Sequence, residues 1–150
     1  MITERFSANS MTNYLVSRSL SGVLQSGGKP IANAKIIRSI KWNDSDAPLV
    51  DCFKTDANGR FSIPANKQLL AISPLMQYVA KVRLEVEHEG LSSDFWYEVI
   101  MDAAPLSIGD TRNLVCEVGE KLQRVHSPSG LLGTTCRWEG MPKDGDPYSL

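Results

Sequence analysis

No apolar stretch of this chain approaches the ~20 residues that a membrane-spanning helix needs. A surplus of one charge is missing as well: 16 basic residues stand against 17 acidic ones, a net charge of −1. No global field therefore favours nucleic acid or an anionic membrane surface. The opening residues, Met1-Ile2-Thr3-Glu4-Arg5-Phe6, lack the basic segment and apolar core of a signal peptide. The expectation is a cytoplasmic chain without membrane insertion, periplasmic or secreted if a leader has been removed or if secretion machinery carries it.

Histidine and cysteine are scarce. The two histidines, His88 and His126, have no Gly-x-Ser-x-Gly elbow to work with. His88 follows the outward positions of a strand and reads as a solvated side chain. His126 lies in a loop beside serines, and no spacing links it to a thiol or an orienting acid. Neither one is read as catalytic. The three cysteines, Cys52, Cys116 and Cys136, contain no Cys-x-x-Cys pair. One reading has Cys116 and Cys136 facing each other across the last two strands as a disulfide, which needs an oxidising compartment. The plainer expectation is three reduced, small apolar core residues.

What the chain does have is a series of short apolar runs parted by turn signals. At 150 residues, 42% hydrophobic and 22% charged, it has the size and composition of one globular domain with a real core. Residues 1–12 read as a loose arm, 13–140 as the domain and 141–150 as a frayed tail. Tyr14 to Leu24 is mixed but strand-like. Ser26-Gly27-Gly28-Lys29-Pro30 breaks it, since paired glycines allow positive φ and proline cannot continue a ladder. Ala34 to Trp42 is a β-branched run. After the polar connection 43–48, Leu49 to Thr55 forms the next strand, with Val50, Cys52 and Phe53 partly buried. Asp56-Ala57-Asn58-Gly59 is a turn, and Phe61 and Ile63 alternate with Ser62 after it, which predicts a hairpin between 49–55 and 60–64.

Lys67 to Met76 is the one helix candidate, because Leu69, Leu70, Ile72 and Met76 fall within helical reach and Pro74 limits it to a turn or two. From Tyr78 to His88, Val82, Leu84 and Val86 share one face, and Lys81, Arg83, Glu85 and Glu87 share the other. Glu89-Gly90 turns the chain into a partner over Phe95 to Met101. Asn113 to Val118 and Thr134 to Trp138 add two further strands. The fold class that follows is all-β: a sandwich of about seven to eight strands with at most one short helix.

The sequence Gly22-x-Val23, the Gly28-Lys29-Pro30-Ile31 turn, Ala34-x-Ile36 and Thr55-Asp56-x-x-Gly59-x-Phe61-x-Ile63 resembles the carboxypeptidase regulatory-like, or transthyretin-like, domains. The resemblance covers residues 22–64 and implies a Greek-key sandwich in a mostly non-catalytic module. One relative, the transthyretin-like 5-hydroxyisourate hydrolase, is an enzyme. Its family carries a histidine in the first strand and ends in Tyr-Arg-Gly-Ser. Here Ser19-Leu20-Ser21-Gly22 holds no histidine and the chain ends Pro147-Tyr148-Ser149-Leu150. No catalytic residue, cofactor or metal site is therefore expected. Asp56-x-Asn58-Gly59 opens like a calcium loop but lacks the remaining ligands, so it reads as a turn.

The functional expectation is a bacterial protein-binding module. It serves as an immunity partner that blocks a toxic effector, or as an adaptor on a type VI-like secretion apparatus. The alternatives are an exported carbohydrate-binding or adhesion module and, more remotely, a small hydrolase. Trp42, Asp44, Asp46, Trp96 and Trp138 are the candidate contact residues. Exposed tryptophan suits interfaces and sugar stacking, and the acidic loop at 43–49 stands at one end of the sandwich. Edge strands offer a second way to hold a protein partner, by strand addition. Against this, the tryptophans also suit the ends of a core. Asp44, Asp46 and Asp51 equally read as solvation.

Overall fold

The computed structural model describes residues 11–43 and 45–142. The expected arm before Met11 and most of the expected tail lie outside them, as does Asp44. Every regular element described is a strand. The first seven are β1 (Thr12–Ser17), β2 (Leu20–Ser26), β3 (Lys29–Pro30), β4 (Lys35–Trp42), β5 (Leu49–Lys54), β6 (Arg60–Ile63) and β7 (Asn66–Leu70). They are followed by β8 (Ala80–His88), β9 (Leu91–Ile100), β10 (Leu114–Glu117), β11 (Gln123–Ser127), β12 (Gly130–Thr134) and β13 (Cys136–Arg137). The strands number more than the seven or eight expected because several are short and the run from Tyr14 to Leu24 is two strands in different sheets.

A six-stranded antiparallel sheet in the order β11-β12-β9-β8-β4-β5 forms one layer. The opposite layer is built from two pieces. A five-stranded sheet, in which β2 pairs with β3 and β6 on one side and runs parallel to β10 on the other, covers one half. The antiparallel ribbon β1-β7 covers the other half. The apolar residues divide accordingly. Leu24, Phe61, Ile63 and Leu114 pack with Ile36, Leu84, Phe95 and Trp96 under the five-stranded sheet. Val16 packs with Ile40, Val82 and Ile100 under the ribbon, with Tyr14, Leu70 and Ile72 beside them. Burial of each such side chain stabilises the fold by about 1.5–3 kcal/mol.

Between the two clusters lies a buried polar layer. On β4 the inward series Ile36, Arg38, Ile40 places a 1%-exposed arginine at the seam, and on β9 the series Trp96, Glu98, Ile100 places a glutamate there. The chain crosses at this seam from the ribbon to the five-stranded sheet (β1 to β2) and back (β6 to β7). Crossing chains leave backbone and side-chain groups without ladder partners, and these must be bonded when buried. Arg38 Nη1 donates to Ser17 Oγ at 3.2 Å and to the Pro64 carbonyl at 2.6 Å, one partner from each crossing. Arg18, in the first crossing, reaches across to Glu98 at 2.7 Å.

Two expectations are corrected. The segment 67–76 is not helical: Asn66–Leu70 pairs with β1, and strand alternation leaves Leu69 exposed while Leu70 packs inward. The hairpin between 49–55 and 60–64 does not form either. β5 pairs with β4 in one sheet and β6 with β2 in the other, so the Asp56–Gly59 turn carries the chain between layers. The turn itself forms as expected. Asp56 Oδ1 accepts from the Asn58 and Arg60 amides, and Gly59 has φ +76°.

Cys116 and Cys136 lie directly opposite each other on β10 and β13 and form a disulfide, in place of the expected buried thiols. The β8–β9 hairpin forms about Glu89-Gly90, both at positive φ. β9 carries a bulge: Leu84 faces Trp96 and Glu85 faces Asp94, which leaves Phe95 as the extra residue. The bulge lets Phe95 and Trp96, neighbours in sequence, both enter the core.

Candidate functional site

β5 is the edge of the largest sheet, and among the described residues its only strand partner is β4. The Thr55 amide donates to the Ala34 carbonyl at 3.0 Å, which marks 55/34 as a bonded position of the β4/β5 ladder. Antiparallel ladders alternate by two residues. The N–H and C=O groups of Phe53 and Asp51 therefore face β4, and those of Val50, Cys52 and Lys54 face outward. The side chains of Val50, Cys52 and Lys54 are exposed as well. Leu49, at 38% exposure, and Val50, at 55%, leave apolar surface at the start of the strand. A shallow depression lined by Lys35, Cys52, Phe53 and Lys54 opens beside its other half.

The edge is held firmly from within. Both carboxylate oxygens of Asp51 accept from Arg38, at 2.9 Å from Nε and 2.7 Å from Nη2. The Arg38 guanidinium lies 5.1 Å from the centre of the Phe53 ring. At the end of the strand, Thr55 Oγ1 donates to the Ile31 carbonyl and accepts from the Ala34 amide. A strand fixed in this way loses little conformational freedom when a second strand joins it. The expected inward placement of Val50 and Cys52 is thus reversed, because the bidentate bond to buried Arg38 turns Asp51, and with it Phe53, toward the seam.

The candidate contact residues are scattered. Trp96 is fully buried and Trp138 is 8% exposed; their rings lie 5.7 Å apart in the core, with Trp138 Nε1 bonded to the Ile108 carbonyl. Both are thereby removed from any contact surface. Trp42 is half-buried against the second cluster. Asp46 is exposed in the loop before β5. Asp44 lies outside the described residues. The β5 edge was accessible to sequence reasoning only as a strand between a polar loop and a turn, since its place at the end of the sheet order is not written in its own residues.

The shifted titrating groups lie elsewhere. Burial pushes the Glu98 carboxyl above its ordinary range, against the opposing pull of Arg18 and the Trp96 indole N–H. Burial, with Tyr14 beside it, raises the Tyr78 hydroxyl, which donates to the Leu15 carbonyl. The backbone amides of Arg60 and Asn58 lower Asp56, which places its charge inside the turn. Among the described residues no three His, Cys, Asp or Glu side chains converge to hold a metal ion.

The model of a protein family described as a domain of unknown function, DUF6795, matches residues 20–121, more than half of the chain. That span runs from β2 through β10 and contains β5. No curated protein and no solved structure matches the chain.

Proposed function

We propose that this chain, which belongs to the DUF6795 family, is a protein-binding module that accepts a strand along the open edge of β5. The observation that carries this reading is the outward row of backbone groups at Val50, Cys52 and Lys54 on a strand anchored by Arg38 and Asp51. Unpaired edges invite another strand, and proteins that do not use them guard them with proline, charge or bulges. Here Pro48 lies just before the strand and Lys54 at its end, which leaves the middle unguarded. Strand addition draws affinity from main-chain bonds and selectivity from alternate side chains. Exposed Val50 and the depression beside Phe53 suit that second task.

Blocking a toxic effector and coupling cargo to a secretion apparatus are both tasks that such an edge can perform. A sugar-binding surface would need Trp42, Trp96 and Trp138 in a row, and the burial of two of them weighs against it.

The test is a peptide library panned on the wild-type chain and on Cys52→Pro. Proline at 52 removes an outward N–H without touching the β4 ladder, where an edge strand tolerates it. The expected result is extended peptides that bind the wild type and weaken about tenfold or more on the variant. Peptides that bind both proteins equally would refute the reading.

A further inference from the structure

Among the strands that the open edge of β5 can accept is its own copy. We infer that two chains join through β5 in an antiparallel, two-fold arrangement centred on Cys52, so that two six-stranded sheets become continuous. This inference rests on the strand-accepting edge proposed above and names its occupant.

The register follows from the residues. In a two-fold antiparallel pair, each outward residue must meet an outward residue of the copy. An axis through Val50 would set Cys52 opposite Pro48 of the copy, which has no N–H to give. An axis through Lys54 would set Lys54 against Lys54, and like charges directly opposite destabilise a sheet. An axis through Asp51 would set Asp51 against Asp51 and Lys54 against Pro48 of the copy. One through Phe53 would set Val50 against Asp56 of the copy, whose N–H already bonds the Arg60 carbonyl. An axis through Cys52 avoids all of these. Val50 then exchanges bonds with Lys54 of the copy, Cys52 with Cys52, and Lys54 with Val50. On the outward face the aliphatic stem of Lys54 lies along the exposed Val50 side chain. On the inner face Phe53 meets Asp51 of the copy, whose carboxylate is already held by Arg38. No proline and no like-charged pair falls within the joined segment.

Contact area sets the strength. The six residues Leu49–Lys54 span about 20 Å. A single strand pair of that length covers less than the ~1,000 Å² typical of a stable interface. The dimer therefore depends on concentration and exchanges readily with other strands, which leaves the edge free to serve a partner.

The free thiol of Cys52 reports the register directly. Sedimentation of the wild-type chain across a concentration series should show a monomer–dimer equilibrium, which Cys52→Ser retains and Cys52→Pro weakens about tenfold or more. Diamide, which takes up the two electrons and two protons of thiol oxidation, should link two wild-type chains through Cys52 and leave Cys52→Ser unlinked. In the Cys52→Ser background, Val50→Cys with Lys54→Cys should cross-link as readily, whereas Val50→Cys alone should not. Cross-linking by Val50→Cys alone overturns the register even if Cys52→Pro fails to fold. A dimer that Cys52→Pro leaves intact overturns the inference by placing the contact elsewhere. A chain that stays monomeric at all concentrations while edge-dependent peptides still bind overturns the self-pairing and leaves the strand-accepting edge standing.

Discussion

Arg18 Nε stands 2.7 Å from Glu98 Oε2 at the seam where the layer covering the six-stranded sheet changes from ribbon to five-stranded sheet. The glutamate is 1% exposed, and among the described residues Nη2 of the arginine is buried with no bonding partner. The pair is thus incompletely satisfied, and its two members differ in what they do when one is removed.

Glutamate can escape an unpaired buried charge by taking a proton, and arginine cannot. Glu98→Leu should therefore cost about 3–5 kcal/mol, the usual penalty for orphaning a buried charge. Arg18→Met should cost distinctly less at neutral pH, and the double variant Arg18→Met/Glu98→Leu should recover most of the loss. Urea unfolding of the three proteins checks the order. Equal losses for the two single variants would refute it.

The same carboxyl makes stability depend on pH. Burial raises the pKa of Glu98 in the folded state above its ordinary value of 4.5, so the folded chain holds a proton that the unfolded chain has released. Stability should fall as pH rises from that ordinary value through the raised one. Asp56 and Asp110, both lowered from 3.8, act in the opposite sense at more acidic pH. The contribution of Glu98 is isolated by comparison with Glu98→Gln, which should gain on the wild type as pH rises above 4.5. Parallel pH–stability curves would contradict the assignment.

Gly22 lies where β2 runs parallel to β10, and a Cβ there would sit 2.1 Å from the Leu114 carbonyl oxygen. Backbone cannot swing aside as a side-chain end can, so Gly22→Ala should cost about 3 kcal/mol or more. Gly27 has φ +59° but open space around it, and Gly27→Ala should cost only about 1–2 kcal/mol. Denaturant midpoints of the two variants decide the order.

The Cys116–Cys136 disulfide closes a loop with a sequence separation of 20 and ties the short strand β13 to β10. Its removal by Cys116→Ala/Cys136→Ala should cost about 3 kcal/mol. Thiol titration of chain isolated from its host, unfolded without reductant, should count one reactive group per chain, Cys52. A count of three would show that the bond is not made in the cell, as the cytoplasmic expectation requires.

The local signals were legible wherever one residue type has few choices. Gly27-Gly28, Asp56 to Gly59 and Glu89-Gly90 turn as expected, because positive φ and side-chain capping are properties of a few residues. Val82, Leu84 and Val86 face inward as their alternation predicts. The apolar spacing of Leu69, Leu70, Ile72 and Met76 misled because it is compatible with two periods, and pairing with β1 selected the shorter one. Trp96 failed as a candidate contact residue for another reason: strand alternation cannot foresee a bulge that sends it and its neighbour Phe95 to the same side.

By itself, then, the sequence determined the class of fold: β-branched alternation, turn chemistry and the lack of any sustained helical pattern leave strands as the only way to bury these apolar residues. Tertiary structure alone decided which strand follows which in space. The turn at Asp56–Gly59 is encoded locally, yet nothing in it states that β5 stays beside β4 while β6 crosses to β2. That choice is made by contacts distant in sequence, in which Arg38 joins Asp51, Ser17 and Pro64 in one buried layer. The same layer turns Val50 and Cys52 outward and places the candidate binding edge at the rim of the sheet.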